Sequence, residues 1–449
     1  MDIQQLRSSV AEKFPLFGPN KVQELVRLVF EIGRRDQLGF CDVLGSIPKD
    51  RVAFSSVKSF LERLRYPEAF ARGIPVRESF AGLDIDPDAA CDVSIQREIY
   101  PKEILIEKAV EGAALAQRMR QSFPKSRVEV IDRYKDLITG PRSSSASAID
   151  FNRRCDQFFI VKEVYDHFKP CPCTPGVVSC GYHNANLGFG CPFECSYCFL
   201  QNYTNAPGIV FPANIEDLFS SFRSLTRRPV RVGSGETTDS LAFDHLTGFA
   251  PQVVEFFRSF PESRFEFKTK SDNIKGLLSV RGAANIVAAW SVNPQKIIDR
   301  EEFFTASLAR RLKAARACVE AGYRTAFHFD PVFYYTGWEL DYADVVKSIF
   351  SVVPKESIAW ISLGTLRMTV RQKKMIENRF PQNTILSAEL ITAQDGKVRY
   401  HDFVRENVYS VLLSLIREQA AGVPVYLCME TADLWRRLGI KLDPQWISR

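Results

Sequence analysis

The sequence predicts an α/β protein built on a partial (β/α) barrel, with a small helical unit in front of it. Two observations support this prediction. From residue 184 onward, short strand-like runs alternate steadily with helical stretches, as in a parallel sheet covered by helices. Before residue 95, in contrast, apolar residues recur only at helical spacing. At 449 residues the chain is longer than one typical domain, which leaves room for both parts.

Residues 1–95 are predicted to form the helical unit. The stretch "NKVQELVRLVFEIGRR" places its apolar residues on one stripe, and "SSVKSFLERLR" repeats the pattern after two serines that suit a helix start. No catalytic pattern is present in this part of the sequence. Its composition indicates a packing or adaptor role.

Residues 96–183 are predicted as an α/β segment that leads into the barrel. The runs "EILIEKA" and "RVEVIDR" have the composition of strands, and "VEGAALAQRMRQSF" between them has helical spacing. A cysteine-rich stretch, "KPCPCTPGVVSCGY", follows before the barrel begins. The segment therefore ends in a loop with its own potential chemistry.

Residues 184–449 are predicted to form the (β/α)6 barrel and a segment that closes it. Its six strand-like runs are "ANLGFG", "VRVGS", "RFEFKTK", "IVAAWSV", "TAFHFDPV" and "AWISLGT". The closing segment contains "VRENVYSVLLSLIREQAAG" and "VPVYLCMETADLWRRLGI", which indicate a helix, a short strand and another helix. Because chemistry in such barrels lies where strands end, side chains just after these runs are the first candidates.

Composition narrows the functional classes. The chain is 45% hydrophobic and 25% charged, and it has no apolar run near the ~20 residues that span a bilayer. The start "MDIQQLRSSVAEKF" lacks the features of a secretory signal. We therefore expect a cytoplasmic protein without a membrane partner. The formal net charge of +6 permits an anionic partner without requiring one.

Three closely spaced cysteines, Cys191, Cys195 and Cys198, are the strongest chemical signal. Seven of the eleven cysteines lie between residues 155 and 198, and in a reducing compartment such a cluster favours metal binding over disulfides. Thiolates are the preferred ligands of iron–sulfur clusters. Three thiolates leave one iron of a [4Fe-4S] cluster open to another ligand. A zinc site, the alternative, more often uses two separated Cys-x-x-Cys pairs.

This cysteine spacing, with an aromatic residue before the third cysteine, resembles the radical S-adenosylmethionine (SAM) superfamily. Within it the sequence resembles the spore photoproduct lyase family over roughly residues 100–440. The stretches that carry the likeness occur in the family's order: "CSYCFLQ", "TTDSLAFDHLT", "FEFKTKSDNI", "WSVNP", "AGYRTAFHFDPVFYYTGWE" and "LGTLRMTVRQKKM". The resemblance implies a partial barrel, a [4Fe-4S] cluster and SAM, which is reductively cleaved to a 5′-deoxyadenosyl radical.

The resemblance also assigns roles to individual residues. It implies that Cys191, Cys195 and Cys198 are the cluster ligands and that Tyr197 lies beside SAM. The other SAM contacts that it implies are Thr238, Lys270 and Ser291. A lysine at a strand end suits the SAM carboxylate, and the glycine-rich "GSGETTD" allows backbone amides to approach a charged group.

The sequence departs from the family at the end of the reaction. In the lyases a loop cysteine returns a hydrogen atom to the product radical, and Glu236 occupies that position here. A carboxyl group cannot replace a thiol in this step because its O–H bond is much stronger and it is normally ionised at pH 7. Phe199 likewise replaces a tyrosine of the same hydrogen relay. Tyr197, because it is implied to lie beside SAM, and Glu236, because it occupies the position of the hydrogen donor, are the candidate catalytic residues.

The upstream cysteines Cys171, Cys173 and Cys180 leave three interpretations open. They are candidate ligands of a second metal or cluster, together with His167, His183 or Cys155. One of them is alternatively the missing hydrogen donor, or all three are inert buried thiols. His328, inside a strand-like run, is interpreted as a core histidine.

A basic segment near residue 370 is the candidate nucleic-acid contact. It contains Arg367, Arg371, Lys373 and Lys374. This segment resembles a basic segment that contacts DNA at the same place in the lyase family. Lysine and arginine are the residues that contact phosphates, whereas a solvated helix face is the alternative.

The leading hypothesis is a radical SAM enzyme that repairs a UV-induced thymine dimer in DNA. Its expected partners are lesion-containing DNA and a reductant such as flavodoxin or ferredoxin. One alternative keeps SAM cleavage with a different substrate, and another is an iron–sulfur or zinc protein that binds nucleic acid without turnover.

Overall fold

The computed structural model describes residues 3–71, 99–139, 151–164, 167–204, 206–225, 229–380, 383, 385–393 and 395–441. The helices named here are α1 (Ile3–Lys13), α2 (Pro19–Asp36), α3 (Phe40–Gly45), α4 (Phe54–Arg65), α5 (Pro67–Ala71), α6 (Ala114–Ser122), α7 (Tyr134–Thr139), α8 (Leu200–Tyr203), α9 (Ile215–Arg223), α10 (Asp244–Thr247), α11 (Phe249–Arg258), α12 (Lys275–Leu278), α13 (Gln295–Glu301), α14 (Leu308–Glu320), α15 (Trp338–Val352), α16 (Val370–Arg379), α17 (Asp402–Ala420) and α18 (Ala432–Arg437). The strands are β1 (Glu103–Glu107), β2 (Arg127–Ile131), β3 (Gln157–Val161), β4 (Phe168–Pro170), β5 (Tyr182–Ala185), β6 (Glu194–Cys195), β7 (Ile209–Pro212), β8 (Arg231–Gly233), β9 (Arg264–Thr269), β10 (Ile286–Ser291), β11 (Glu302–Phe303), β12 (Arg324–Val332), β13 (Ile358–Thr365), β14 (Arg367–Thr369), β15 (Leu390–Thr392), β16 (Lys397–Tyr400) and β17 (Val425–Leu427).

The chain divides into two units. The first contains residues 1–92, 333–336 and 365–405, and the second contains residues 93–332, 337–364 and 406–449. This division differs from the predicted domains, because the segment 365–405 joins the N-terminal helices rather than the barrel. The predicted boundary at residue 95 lies outside the described residues.

An eight-stranded sheet forms the main part of the second unit. Its strand order is β17-β13-β12-β10-β9-β8-β5-β4, which follows the chain order. The pairs β5–β8, β8–β9, β9–β10, β10–β12 and β13–β17 are parallel, whereas β4 is antiparallel to β5 at one edge. The predicted partial barrel of parallel strands is thereby confirmed.

Contacts between distant strands show that this sheet is curled. Arg231 of β8 donates a hydrogen bond to the hydroxyl of Tyr426 on β17 at 2.9 Å, although four strands separate β8 and β17 in the sheet. Arg231 also bonds Glu266 of β9, and Glu266 contacts His328 of β12. These side chains therefore line the inner face of the curl, which we call the lumen.

The first predicted barrel strand is displaced in the structure. "ANLGFG" was expected to be a strand, but β5 covers Tyr182–Ala185 and ends where that run begins. Gly190 has a φ of +92°, which L-residues rarely adopt and which is incompatible with a continuing strand. Its amide donates to the carbonyl of Thr237 at 2.9 Å. The chain therefore turns toward the loop after β8 just before Cys191.

A smaller parallel sheet precedes the barrel, with the order β2-β1-β3-β7. The runs predicted as strands around Glu103 and Arg127 form β1 and β2, which pair in register from Glu103–Arg127 to Glu107–Ile131. Phe158 of β3 is fully buried and packs edge-on against Phe211 of β7. This sheet supplies Arg154, just before β3, to the candidate site.

The first unit has its own apolar core. The predicted N-terminal helices are present as α1 to α5, and the apolar stripe of α2, including Leu25 and Val29, is buried. A three-stranded antiparallel sheet of order β14-β16-β15 belongs to the same unit. Among the described residues of the whole chain, no helix is long and apolar enough to cross a membrane.

Candidate active site

The cysteine loop begins at Cys191 and runs through β6 into the short helix α8. Cys195 is buried and Cys191 and Cys198 are half-buried. The amide of Cys198 donates to the carbonyl of Cys195 at 3.0 Å, which folds the Cys-x-x-Cys segment into a turn. The loop thus places its three thiols within one short stretch of ordered backbone.

Arg154 holds the start of this loop from the side of the small sheet. Its guanidinium, 1% exposed, donates to the carbonyl oxygens of Cys191 at 2.7 Å and of Phe193 at 2.6 Å. It also pairs with the carboxylate of Glu194 and bonds the carbonyl of Phe151 at 2.9 Å. One planar cation therefore fixes the backbone on both sides of Pro192, which a guanidinium does better than an ammonium.

A two-stranded ladder holds the other side of the loop. β6 pairs antiparallel with β11, so that Cys195 lies opposite Glu302, and the amide of Ser196 donates to the carbonyl of Glu301 at 2.8 Å. The side chain of Ser196 also bonds the Glu301 carboxylate. The middle cysteine is therefore held by strand pairing as well as by its own turn.

Glu302 joins several groups beneath the loop. Its carboxylate accepts a hydrogen bond from the hydroxyl of Tyr197 and one from Asn293 at 2.8 Å, and it pairs with Arg311 at 2.7 Å. Burial alone would raise the pKa of Glu302, but Arg311 and Lys270 lower it to about 2. Glu302 is therefore a fixed negative charge that orients Tyr197.

The three thiols are close enough to affect one another. Burial raises the pKa of Cys191, Cys195 and Cys198, and the charge of Lys270 acts to lower that of Cys195 and Cys198. The charges that raise the pKa of Cys191 include those of the other two cysteines. No three histidine, cysteine, aspartate or glutamate side chains among the described residues are arranged around a single metal ion. The donor set of three thiols on one loop fits an iron–sulfur cluster.

Asp239 connects the loop after β8 to the end of β9. Its carboxylate accepts the amide of Lys270 at 2.7 Å, the hydroxyl of Thr269 at 2.6 Å and the amide of Ala242 at 2.9 Å. Its charge also contributes to the raised pKa of Cys191. Asp239 was missed by sequence reasoning, although it stands in the quoted "TTDSLAF" and directly follows the candidate Thr238.

The structure brings Lys270 together with Tyr197 and the cysteine loop. The Lys270 ammonium lies 5.7 Å from the centre of the Tyr197 ring. Burial alone would lower the pKa of Lys270, but Cys195 and Glu302 raise it above its ordinary value. A half-buried cation therefore stands beside the thiols, where it can attract a carboxylate.

Ser291 lies at the end of β10 and Thr238 in the loop after β8, the two strands on either side of β9. Trp290 pairs with Thr269, so the next residue, Ser291, continues the register beside Lys270 at the end of β10. The carbonyl of Ser291 accepts from Arg311 at 2.9 Å. Thr238 is buried, and its methyl group approaches Gly188 just before the cysteine loop. All predicted SAM contacts thus lie at or after the carboxyl ends of barrel strands.

Glu236 and Phe199 occupy different surroundings. Burial raises the pKa of Glu236, although a hydrogen bond from Asn184 and the charge of Lys268 act to lower it. Phe199 is 40% exposed, and its ring lies 6.0 Å from that of Tyr203. Glu236 is therefore an enclosed carboxyl group of the barrel, whereas Phe199 lies at the surface of the loop.

The upstream cysteines lie near β5, β8 and β17. Cys171 and Cys173 share a hydrogen bond between their side chains, and the charges that act on the Cys171 thiol include those of Glu236 and Cys428. Burial raises the pKa of Cys180, while the charge of Arg231 acts to lower it and that of Cys173 to raise it. Among the described residues no group of three or more histidine, cysteine, aspartate or glutamate side chains is arranged around a single metal ion, and an auxiliary metal at these thiols stays a prediction. A second cluster at this loop stays a prediction.

A buried polar network in the lumen was missed by sequence reasoning. Glu266 pairs with Arg231 at 2.6 Å and contacts Nε2 of His328, whose Nδ1 lies 3.0 Å from the hydroxyl of Ser362. Burial alone would raise the pKa of Glu266, but Arg231 and His328 lower it far below its ordinary value. The interpretation of His328 as a core histidine is confirmed.

The basic segment forms β14 and α16 of the first unit. Arg371 is exposed, and Arg367 and Lys374 are half-buried. Lys373 is buried, with its ammonium 3.0 Å from the Glu31 carboxylate and 2.6 Å from that of Glu377. The prediction of a nucleic-acid contact is therefore corrected for Lys373, because its charge is already neutralised inside the unit.

Sequence comparisons match the chain to spore photoproduct lyases. The family model for spore photoproduct lyase matches residues 178–411, which is more than half of the chain. A spore photoproduct lyase of a Geobacillus species is 28% identical over 206 residues, or 44% of this chain. One of Clostridium acetobutylicum is 27% identical over 201 residues. The chain spans 60% of the length of each of these two relatives.

Structural comparison gives the same picture for the fold. A spore photoproduct lyase complexed with dinucleoside spore photoproduct matches with a TM-score of 0.64 and 21% identity, covering 74% of this chain and 100% of that one. A doubly substituted lyase with bound AdoMet and the same dinucleoside matches with a TM-score of 0.62 and 22% identity, at the same coverage. At these identities the likeness shows a shared fold.

Proposed function

The chain belongs to the spore photoproduct lyase family, and from that membership we propose that it is a radical SAM enzyme that repairs a thymine lesion of the spore-photoproduct type in DNA. The observation that carries the proposal is the meeting of three loop thiols with Tyr197 and Lys270 where the barrel strands end. This is the face of a (β/α) barrel on which catalytic groups collect.

The residues of this site fit both cofactors. Cys191, Cys195 and Cys198 would hold the [4Fe-4S] cluster, and Lys270 would attract the SAM carboxylate. When bound and reduced by one electron, the cluster and SAM together supply a 5′-deoxyadenosyl radical. Tyr197, fixed by Glu302, would form a wall of the SAM site.

Two further side chains would complete the SAM site. The hydroxyl of Ser291, at the end of β10 beside Lys270, can donate or accept a hydrogen bond. Thr238 lies after the glycine-rich turn, next to Gly188. Asp239 orients this turn toward the end of β9 through its bond to the Lys270 amide.

The proposed substrate is lesion-containing DNA. The solved relatives bind a dinucleoside spore photoproduct, and this chain shares their fold. We assign the DNA backbone contact to Arg367, Arg371 and Lys374 of the first unit, leaving out the buried Lys373. The proposed reductant is a flavodoxin or ferredoxin, and a cytoplasmic location stays a prediction.

The test is an anaerobic assay of the reconstituted, reduced full chain with SAM and a spore-photoproduct dinucleotide. We expect 5′-deoxyadenosine and repaired dinucleotide at comparable yield. 5′-Deoxyadenosine without repair would overturn the substrate assignment and favour a different radical SAM substrate. Iron binding without SAM cleavage would overturn the enzyme assignment and favour a nucleic-acid-binding iron–sulfur protein. Cys195→Ala should abolish both cluster content and SAM cleavage.

A further inference from the structure

Cys171 is placed by strand pairing rather than by a flexible loop. β4 is antiparallel to β5, with Pro170 opposite His183, and the amide of Cys171 donates to the carbonyl of Tyr182 at 2.9 Å. Cys171 therefore continues the register opposite Tyr182. Residues directly opposite each other in an antiparallel pair point to the same face of the sheet.

The face that carries Tyr182 is the lumen. The Tyr182 ring lies 5.1 Å from the guanidinium of Arg231, which belongs to the lumen network. Its hydroxyl would be 2.2 Å from a Cβ added at Gly233, so this end of β8 must be glycine for the tyrosine to fit. Cys171, which shares the face of Tyr182, is therefore directed toward the lumen as well.

Glu236 approaches the same stretch of β5 from the other side. It follows Gly233 by three residues, and its carboxyl group is hydrogen-bonded by Asn184. Asn184 stands two positions after Tyr182 on β5 and so lies on the same face. The charge of Glu236 acts on both Cys171 and Tyr182. Cys171 and Glu236 therefore face the same lumen, close enough for the charge of Glu236 to raise the pKa of the thiol.

We propose that Cys171 is the hydrogen-atom donor that ends the radical reaction, replacing the thiol that the family carries at the position of Glu236. The proposal rests on the proposed function, since it requires a substrate radical in the barrel. It accounts for the sequence departure at Glu236, because the thiol that follows β4 faces the same lumen as the loop in which Glu236 stands.

The chemical step is a one-hydrogen transfer. After the carbon–carbon bond of the lesion has broken, the S–H bond of Cys171 breaks homolytically, a C–H bond forms on the product radical, and the unpaired electron stays on the Cys171 sulfur. The product radical is reduced and the thiol is oxidised by one hydrogen atom. Such a donor must keep its proton at neutral pH. The hydrogen bond with Cys173, burial and nearby charges raise the pKa of Cys171 accordingly.

The thiol is restored by one electron and one proton. The electron comes from the same class of low-potential one-electron donor that reduces the cluster. Glu236, whose pKa is raised by burial, is the nearby carboxyl group that can pass the proton. One SAM is consumed in each turnover under this scheme.

The first test is turnover in D2O, because thiol hydrogens exchange with solvent whereas methyl hydrogens of 5′-deoxyadenosine do not. The wild-type chain should place one solvent deuterium in each repaired dinucleotide. Cys171→Ser keeps the shape of the side chain but has a stronger bond to hydrogen. It should lower deuterated product by about tenfold or more while 5′-deoxyadenosine formation and iron content stay within about twofold.

Cys318→Ala is the matched control, since Cys318 is a buried thiol on α14 and lies outside the lumen. It should match the wild type in every readout. The proposal is overturned if Cys171→Ser repairs at the wild-type rate with deuterium incorporated, or if it loses iron, which would identify the thiol as a cluster ligand. If the wild type and Cys318→Ala both cleave SAM but repair no dinucleotide, the proposed substrate is overturned, and this outcome is distinct from a loss of repair in Cys171→Ser alone.

A second readout does not depend on turnover. Cys171→Phe places a ring where the thiol faces the lumen, and it should weaken binding of the spore-photoproduct dinucleotide by about tenfold or more in equilibrium dialysis. Cys41→Phe, at an exposed cysteine of the first unit, provides the comparison and should bind like the wild type. Wild-type affinity of Cys171→Phe for the dinucleotide would place the thiol away from the substrate and refute its role as donor.

Discussion

Glu302 is the residue on which Tyr197, Asn293 and Arg311 converge beneath the cysteine loop. Glu302→Gln keeps the shape but removes the charge that faces Arg311, whose side chain is fully buried. Leaving a buried cation without its partner costs about 3–5 kcal/mol. We expect a loss of this order in the free energy of unfolding, measured by urea denaturation, together with lower iron content after reconstitution.

The exposed pair of Glu320 and Arg316 supplies the control for this prediction. Glu320→Gln should change the unfolding free energy by less than about 0.5 kcal/mol, because exposed ion pairs contribute little. If the two variants are equally stable, Glu302 does not neutralise Arg311 in the folded chain.

The charge of Glu302 also predicts the pH dependence of stability. Its pKa in the folded chain is about 2, below the ordinary value of 4.5, so the unfolded chain binds this proton more tightly. The stabilisation is therefore complete above about pH 4.5 and is lost as the pH falls toward 2. Acid denaturation of Glu302→Gln should show a shallower dependence on pH over that interval than the wild type.

Lys270 gives a residue-scale test of the SAM site. Replacing Lys270 by alanine removes a charge-assisted contact to the SAM carboxylate, worth about 1.5–3 kcal/mol, or about 10- to 100-fold in affinity. Equilibrium dialysis with labelled SAM should show this weakening. Lys275→Ala, which removes an exposed lysine of α12, should bind SAM like the wild type. Equal SAM affinity for Lys270→Ala and wild type would exclude the contact.

At this scale the sequence predicted residues that stand inside motifs and missed residues that act through tertiary structure. Tyr197 and Lys270 were predicted because each belongs to a matched stretch, and Cys191 because of its spacing from Cys195 and Cys198. Glu302 and Arg311 were missed because their stretches, "REEFF" and "ARRLK", have the composition of ordinary solvent-facing charge. Only the pairing of β11 with β6 brings Glu302 to the loop.

The cysteine loop is the element whose shape depends most on one side chain. Arg154 bonds the carbonyls of Cys191 and Phe193 on either side of Pro192. Arg154→Lys keeps the charge but cannot span both carbonyls with a planar fork. We expect iron and sulfide content after reconstitution to fall severalfold, with the unfolding midpoint of the cluster-free chain changed less.

The neighbouring Arg153 is a control at the same element. Its side chain is 69% exposed, and it forms a surface pair with Asp156. Arg153→Lys should retain wild-type iron and sulfide. Full cluster occupancy in Arg154→Lys would mean that the β6–β11 ladder alone is sufficient to shape the loop.

Element by element, the strands of the barrel were predictable and its entrance was not. The run "IVAAWSV" is apolar and "RFEFKTK" alternates between polar and apolar residues, so β9 and β10 appear where they were expected. "ANLGFG" also places an apolar residue at every second position, yet the positive φ of Gly190 turns the chain toward Thr237. Composition does not reveal that backbone conformation, because glycine is also compatible with a strand.

On the scale of the whole molecule, sequence periodicity identified the helical start and the barrel but not their division. The segment 365–405 belongs with the N-terminal helices because Lys373 pairs with Glu31, which stands 342 residues earlier. Ion pairs of such separation leave no local pattern. The same pairing explains why the basic segment contains a lysine that serves the interior of its unit rather than a phosphate.

The proposed DNA contact yields the prediction for the whole chain. Each lysine or arginine that neutralises a phosphate contributes about one unit to the slope of log affinity against log salt. Arg371→Ala and Lys374→Ala should each reduce this slope by about one and weaken binding to lesion-containing and undamaged duplexes alike. Fluorescence anisotropy from low to physiological salt provides the measurement.

Lys347 and Lys373 separate a phosphate contact from general effects of charge. Lys347→Ala removes an exposed charge of α15 and should leave the slope unchanged. Lys373→Ala should instead lower the stability of the first unit, because Glu31 and Glu377 would be left buried beside each other. If Arg371→Ala and Lys374→Ala both keep the wild-type slope, the segment is a solvated helix face, and the DNA must be held elsewhere on the chain.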